Sequence, residues 1–467
     1  MNKSLLSALF GICFFLAGCS LTPQFQQPET PIPTQWPTGP AYQAPRAQAV
    51  AASELQWREF FIDERLQKLI ETALQNNRDL RLSALNVERA RAMYGIQRAE
   101  LYPSVGLQGA GGKQRQSIDL IQPGSARTQE QYSMNLGIAA WEIDFFGRIR
   151  SLSEQALEDY LATDEARRGA QIALVAEVAR AYLTLAADRE NLHLARSTLE
   201  SQQEAYALVK KRFDVGVATE LDLKRAQIPL DTGRGDVARY TQLVAQDRNA
   251  LDLLAGAPVA QEWLPPDLST VAPPGEIAAG LSSESLLRRP DIMAAEHRLK
   301  GAYASIGAAR AALFPHISLT TSIGTASNQL SGLFDAGRDT WAFMPQIVMP
   351  IFDARVWAAL RVSKTDREII LTQYEKTIQT AFREVADVLA VQGTIDEQVA
   401  AQQSLTTALS DSYRLVTQRY TKGIDSYLGV LDAQRAHFAA QQGLVSLHLA
   451  KLASQVRLYA VLGGGGE

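Results

Sequence analysis

Leu428, Asp432 and Arg435 stand at i, i+4 and i+7, so a helix over this stretch puts all three on one face. Their chemistry is non-covalent. Leucines repeated around an axis can meet as an apolar constriction, and a carboxylate and a guanidinium three residues apart can pair with each other or latch to a neighbouring helix. On an isolated surface helix the same residues make only an exposed ion pair of little worth. Residue types suited to bond chemistry are not arranged for it. The histidines His193, His297, His316, His437 and His448 include no pair at the i, i+4 spacing of a helical zinc site. The glycines before Lys113 lack the Ser or Thr that a phosphate-binding loop needs next, because Gln114 follows. No serine sits in a nucleophile elbow. Glu142 and Asp144 read as sharing one face of a strand, where solvated lining suits them better than acid/base work, since no activating partner is in view. We therefore expect no enzyme, no catalytic residue, no metal and no cofactor.

Both cysteines, Cys13 and Cys19, lie near the N-terminus. There a charged start at Lys3, an apolar run over 5–16 and the small residues Ala17 and Gly18 read as a secretory signal. The order Leu16-Ala17-Gly18-Cys19 resembles a bacterial lipobox, which is cut before a cysteine whose thiol is then acylated. Cys13 would leave with residues 1–18, and Cys19 would become the lipidated first residue, with no cysteine left for a disulfide. An ordinary signal peptide with a cysteine beside the cut is the alternative. Ser20, in place of an Asp, is what similar lipoproteins sorted to the outer membrane carry. With 46 Lys and Arg against 50 Asp and Glu, the net charge is -4, which gives no basic footprint for nucleic acid. A mean hydropathy of -0.11, with the strongly apolar charge-free run confined to 4–19, excludes a helical membrane protein.

At 467 residues the chain calls for several domains or a repetitive architecture rather than one core. Pro23, Pro28, Pro31, Pro33, Pro37, Pro40 and Pro45 make the segment after Cys19 an extended tether. A second cluster, Pro258, Pro265, Pro266, Pro273 and Pro274, separates two stretches that repeat one another. Arg98-Ala99-Glu100-Leu101-Tyr102-Pro103 matches Arg310-Ala311-Ala312-Leu313-Phe314-Pro315, and Arg212-Phe213-Asp214-Val215-Gly216 matches Arg419-Tyr420-Thr421-Lys422-Gly423. The match runs on through Leu221/Leu428, Ala226/Ala433 and Gln227/Gln434. The expected organisation is a signal (1–18), a tether with an equatorial segment (19–78), a first repeat (79–256), a proline-rich connection (257–290) and a second repeat with a tail (291–467).

Each repeat opens with a helix, 79–100 or 291–312, that stops at a proline. Strands of a length to cross a bilayer follow at 104–112 and 131–143, and again at 317–327 and 340–351. Tyr132, Met134, Leu136, Ile138 and Ala140 share one face, as do Ile317, Leu319, Thr321 and Ile323. Polar or glycine-rich turns over 111–129 and 328–338 make these hairpins. Pro345 and Pro350 weigh against the fourth strand. An amphipathic sheet over a soluble core has the same pattern, and the export signal favours the membrane. Trp141, Trp341, Tyr102, Phe314, Phe343 and Phe352 suit interfacial girdles or a core equally. Nearly unbroken helical stretches over 149–214 and 356–421 follow, each roughly 100 Å long at 1.5 Å per residue. Each ends near a glycine, Gly216 or Gly423, and returns as a helix over 220–254 or 426–462. Pro229, opposite Ala436 of the second repeat, predicts a kink or break in the first return helix only.

A sheet in lipid must close, and four strands cannot close alone. Two copies give eight strands packed full of side chains; three give twelve and a lumen. These features, with the motif Arg419-Tyr420-x-x-Gly423-Ile424-Asp425-Ser426-x-Leu428-x-x-Leu431-Asp432-Ala433-Gln434-Arg435, resemble TolC-like outer-membrane efflux lipoproteins of the OprM type. The resemblance implies an α+β fold: a homotrimeric 12-stranded transmembrane β-barrel, four strands per chain, continued by a long periplasmic α-helical barrel with a small mixed equatorial region. It implies the outer-membrane channel of a tripartite efflux pump, lipid-anchored in the outer membrane and projecting into the periplasm. Such a channel passively conducts drugs or other small molecules from an inner-membrane RND-type transporter and a periplasmic adaptor. It places the closed periplasmic gate at Leu428, Asp432 and Arg435, and makes the turns at Gly216 and Gly423 the adaptor-docking tips. The other function considered is a lipid-anchored periplasmic coiled-coil adaptor or structural spacer.

Overall fold

The structure, a computed structural model, describes residues 20–42, 55–122, 124, 126–275, 277 and 282–464. Cys13, Cys19 and the expected signal cleavage lie outside these residues. In chain order the elements are α1 (Trp57–Phe60), α2 (Glu64–Asn76), α3 (Arg78–Ala99), β1 (Val105–Arg115), β2 (Thr128–Glu142), α4 (Arg148–Asp214) and α5 (Glu220–Ala255). Then come α6 (Pro290–Ala311), β3 (His316–Ser327), β4 (Asp339–Val348), α7 (Ala354–Thr421) and α8 (Tyr427–Val461). The order helix, strand, strand, long helix, return helix thus occurs twice. Contacts divide the chain into two compact units. The first holds the described part of Met1–Pro28 with Asn86–Thr163 and Ala295–Tyr374; the second holds the described parts of Glu29–Leu85, Asp164–Ala294 and Glu375–Glu467.

The first unit contains one antiparallel sheet in the order β1-β2-β3-β4. Residues directly opposite each other share a face, so the register decides which side chains point together. One face carries the row Leu107, Leu136, Ile323, Trp341 and the row Val105, Ile138, Thr321, Phe343. The other carries Gln108, Asn135, Gly324, Thr340 and Gly106, Gly137, Ser322, Ala342. Trp341 is 79% exposed, and Leu107, Ile323 and Phe343 are exposed with it. A sheet laid over a soluble core would bury that apolar face, and among the described residues nothing covers it.

The alternation expected through Ala140 stops at Ile138. Ile138 pairs with Thr321 but Trp141 pairs with Leu319, so Ala139 and Ala140 together oppose Thr320. This is a β-bulge. Ala140 takes φ 51, and its N–H donates to Thr320 Oγ1 at 3.1 Å. The extra residue brings Trp141, instead of Ala140, onto the apolar face. Pro345 does lie inside β4, opposite Leu319, on an edge strand of the sheet where a missing donor is tolerated. Pro350 falls beyond the strand. Glu142 ends β2 and Asp144 lies past it, so the two carboxylates do not share a strand face. Each is held by an arginine of the first turn of α4. Arg148 donates to both oxygens of Glu142 at 2.9 and 2.6 Å, while the Arg150 backbone N–H and Nε donate to Asp144 at 2.9 and 3.2 Å. These pairs fix the corner between strand and helix.

In the second unit α5 stays helical through Pro229, so the expected break is absent. Pro229 removes one helical bond and crowds the preceding turn. Burial of Ala226, Pro229, Leu230 and Gly233 along the same helix holds the backbone on both sides of it. Among the described residues α4 has an 18-residue window apolar enough to cross a membrane, but 56% of that window is buried inside the protein, as in an internal helix. The return helix α8 packs closely on α7, where Gln402 Nε2 and Thr406 Oγ1 donate to the Ala440 carbonyl at 2.9 and 3.2 Å. An aromatic cluster ties α1 to the end of α8: Phe60 stacks on Tyr459 at 4.2 Å, and the Tyr459 hydroxyl donates to Leu55 O at 2.7 Å. The nearly buried Arg289 donates to Asp291, to Glu384 and to the Val461 carbonyl, closing the C-terminal end of α8. Residues 20–42 form neither helix nor strand. Their side chains are nonetheless docked, Phe25 edge-on to Tyr303 within the first unit and Trp36 stacked on Phe382 within the second.

Candidate functional site

The two long hairpins of the second unit turn in the same way. At the end of α4, Gly216 has φ 73, its N–H donates to Phe213 O at 2.9 Å, and the Val217 N–H reaches Arg212 O at 2.8 Å. At the end of α7, Gly423 has φ 75, with Gly423 N–H to Tyr420 O at 2.9 Å and Ile424 N–H to Arg419 O at 3.0 Å. Both are Schellman caps, which need a left-handed residue and so favour glycine. Nothing lies within 4 Å of where a Cβ would stand at either position. Around these turns Val215, Val217 and Ile424 are exposed, leaving apolar tips without cover from this chain.

The return helices start differently. Thr219 caps α5 in a capping box with Asp222, Asp222 N–H donating to Thr219 Oγ1 at 3.2 Å and Thr219 N–H donating to Asp222 Oδ2 at 3.0 Å. The Thr219 hydroxyl, aided by that backbone bond, holds the Asp222 carboxyl below its usual range. Ser426 at the start of α8 makes no such side-chain bond. Instead Arg419 grips Asp425 with two bonds of 2.6 and 3.0 Å, which hold the Asp425 carboxyl low and the guanidinium high. Arg212 donates to the Tyr420 hydroxyl and so links the two turns.

One face of α8 carries Leu428, Asp432 and Arg435, as the spacing predicts. Arg435 Nη2 donates to Asp432 Oδ1, forming an ion pair within the helix, and both side chains are largely exposed. Leu428, one turn earlier, is 45% exposed. The structure therefore brings Asp432 and Arg435 together on an open face with Leu428 beside them. Sequence reasoning missed Arg212, Tyr420, Arg419 and Asp425. The signal available was the repeat itself, which sets Phe213 opposite Tyr420 and Ala218 opposite Asp425. Two histidines serve the structure: His297 Nδ1 lies 2.6 Å from Glu158, and His316 Nδ1 3.5 Å from Glu142. Among the described residues no group of three or more His, Cys, Asp or Glu side chains is placed to hold a metal.

The family described as outer membrane efflux protein matches residues 69–257 and 281–464. The chain is 49% identical over 466 residues to the antibiotic efflux pump outer membrane protein ArpC of Pseudomonas putida, covering 100% of this chain and 96% of that protein. A crystal structure of a membrane protein from Pseudomonas aeruginosa superposes with a TM-score of 0.87 at 39% identity, covering 95% of this chain and all of that one. The open state of the Neisseria gonorrhoeae MtrE outer membrane channel superposes with a TM-score of 0.86 at 37% identity, covering 96% of this chain and 99% of that one.

Proposed function

The chain belongs to the outer membrane efflux protein family, and we propose that Leu428, Asp432 and Arg435 form the periplasmic gate of the channel it builds. The protein is the outer-membrane channel of a tripartite efflux system. It conducts small molecules outward, works as a homotrimer, and acts with a periplasmic adaptor and an inner-membrane RND-type transporter. The observation that carries this function is the four-stranded sheet, whose apolar face is exposed and whose edge strands β1 and β4 are paired on one side only. Such edges are not tolerated in lipid, and three copies supply the twelve strands of a closed barrel with a lumen. The exposed stripe Leu82, Leu85, Met93 and Ile96 along α3 supports the same need for neighbouring copies. We read the channel as passive, with no bond chemistry.

At the gate, a threefold axis would bring three Leu428 side chains together as an apolar constriction. The Asp432–Arg435 pair, exposed in a single chain, would exchange partners with neighbouring helices and latch the tips. The uncovered apolar turns at Gly216 and Gly423 suit the adaptor-docking surface. Cys19 would carry the lipid anchor, and intact-mass measurement of the mature N-terminus tests that directly. The gate is tested by single-channel conductance in a planar bilayer, comparing wild type with the Asp432→Ala, Arg435→Ala double variant. A small wild-type conductance that rises strongly in the variant supports it; an unchanged conductance overturns the gate. No channel from either folded protein would favour a lipid-anchored adaptor or spacer.

A further inference from the structure

The return helix α5 runs back along α4 in a register that can be followed residue by residue. Gly233 rests against Gln202, so closely that a Cβ there would collide with Gln202 Oε1. One heptad further along, Tyr240 packs in a single buried cluster with Ala195 and Leu192. A second heptad, about 10 Å on at 1.5 Å per residue, sets Asp247 of α5 opposite Asp188 of α4. Asn191 stands three residues from Asp188, on the same face of α4. Two carboxylates and a side-chain amide are thus brought together beside the apolar residues Leu192, Val244 and Tyr240.

Their oxygens lack donors. Asn191 is 8% exposed, and its Oδ1 has no hydrogen-bond partner. Asp247 Oδ2 is buried and equally without one. Buried acceptors left unpaired cost stability, and the two carboxylates repel when both are charged. Arg239 acts on Asp188 from a distance, but its own neighbours are Asp236, 3.7 Å away, and the Tyr240 ring, whose centre lies 4.5 Å from the guanidinium. Burial keeps the Tyr240 hydroxyl protonated, and Gln442 Nε2 of α8 donates to it at 2.8 Å. The second repeat sets Ile395, Gln398 and Ser454 at the three positions. Ile395 and Ser454 are buried there, so a hairpin of this design packs without acids, and the pair in the first hairpin calls for another reason. Oxygen ligands alone, two of them anionic, select a hard cation over zinc or copper, and Ca²⁺ accepts irregular geometry where Mg²⁺ demands an octahedron.

We propose that Asp188, Asn191 and Asp247 bind one Ca²⁺ that pins the first return helix to α4, with water completing its coordination. The third protein ligand is an amide, so the site needs no third acidic or histidine side chain. In metal-free protein a proton takes the place of the cation, and the two compete. The proposal goes beyond the conduit function and does not rest on it, since its readout is binding rather than conductance.

The test uses the detergent-solubilised full chain, stripped with a chelator and titrated with Ca²⁺ by calorimetry at pH 6 and pH 8. Wild type is expected to bind one Ca²⁺ per chain with a Kd at or below about 1 mM, the weak end of calcium sites. Because Asp247 is pushed up to about 7, binding should be about tenfold tighter at pH 8 and should release close to one proton per chain at pH 6. Asp188→Ile with Asp247→Ser copies the pair of the second repeat, should keep its helix content by circular dichroism, and should lose both the binding and the proton release. Asn191→Leu keeps both carboxylates and removes the amide oxygen, and should weaken Ca²⁺ at least about fivefold, which simple charge attraction would not do. Absence of saturable binding, binding that survives in the double variant, equal affinity at the two pH values, or wild-type affinity in Asn191→Leu each overturns the proposal.

Discussion

Arg212 donates through Nη1 to the Tyr420 hydroxyl at 2.8 Å, with its guanidinium 5.6 Å from the centre of that ring, and so ties the end of α4 to the end of α7. The two residues come from different copies of the repeat. Arg419, the counterpart of Arg212, spends its guanidinium on Asp425 in its own turn. The first repeat has Ala218 where Asp425 stands and Phe213 where Tyr420 stands. Arg212 therefore has no carboxylate of its own and reaches for a hydroxyl that only the second repeat supplies. Divergence between duplicated turns has produced one bond between the two hairpins.

Tyr420→Phe restores the first-repeat side chain, keeps the ring and removes that bond. The bond is exposed, so its loss should cost less than about 1 kcal/mol and leave the thermal melt nearly unchanged. If it helps to hold the tip shut, single-channel conductance should at least double relative to wild type. An unchanged conductance would reduce the bond to local packing.

A pH dependence follows from the partly buried carboxyls of Asp188 on α4 and Asp247 on α5, which lie close enough for the charge of one to act on the other. Two carboxylates this close repel when both are charged, which favours keeping a proton on one of them. Burial, then the charge of Asp188, pushes Asp247 up to about 7. Burial raises Asp188 too, opposed by Asp247, by Arg239 and by Asn191. An unfolded Asp titrates near about 4, so between about pH 4 and 7 the folded chain holds a proton that the unfolded chain has lost. Stability from this pair is present at low pH and falls as pH rises through that window. Asp247→Asn supplies a permanent donor. Because the site is part-exposed, its melting temperature should exceed that of wild type at pH 8 by only roughly 1–2 °C, and by less at pH 5. Equal melts at pH 8 would mean that no proton is shared.

Much of this architecture is legible in the sequence because its signals are local. Leu174, Val178, Ala181 and Leu185 recur at helical spacing with few breakers, and Gly216 and Gly423 mark where the rods stop. Period two sets the strand faces as far as Ile138. The bulge is hidden because Ala139 and Ala140 carry no glycine to announce a positive φ. Pro229 misleads because buried neighbours outweigh a local breaker, and Asp144 because a strand boundary of one or two residues decides which face it takes. At the tip, the face of Leu428, Asp432 and Arg435 follows from a helical period. The Arg212–Tyr420 bond joins residues 208 apart, and no spacing rule reaches that far.

The bulge makes its own prediction. At φ 51, Ala140 occupies a conformation that costs an L-residue with a Cβ roughly 1–2 kcal/mol. Ala140→Gly should relieve that cost, while Ala140→Val, branched at Cβ, should add to it. The temperature at which the strand signal disappears in detergent, followed by circular dichroism, should rise in the first variant and fall in the second. The same order of change in both variants would show that the backbone there is not left-handed in solution.

The tip glycines allow docking to be separated from folding. Gly216 and Gly423 are left-handed, and no atom within 4 Å opposes a side chain at either. Asn is among the residues that tolerate this conformation best, whereas a β-branched residue does not. Gly216→Asn with Gly423→Asn should therefore keep both Schellman caps and the helical melt, while placing a polar side chain on the outside of each turn. Gly423→Val should instead lower the melt of the hairpin by straining its backbone. If the turns are the surface that the periplasmic adaptor meets, the double Asn variant should bind purified adaptor about tenfold more weakly, close to 1.4 kcal/mol, with its own conductance unchanged. Undiminished adaptor binding by that variant would move the docking surface away from the turns and onto the flanks of the long helices.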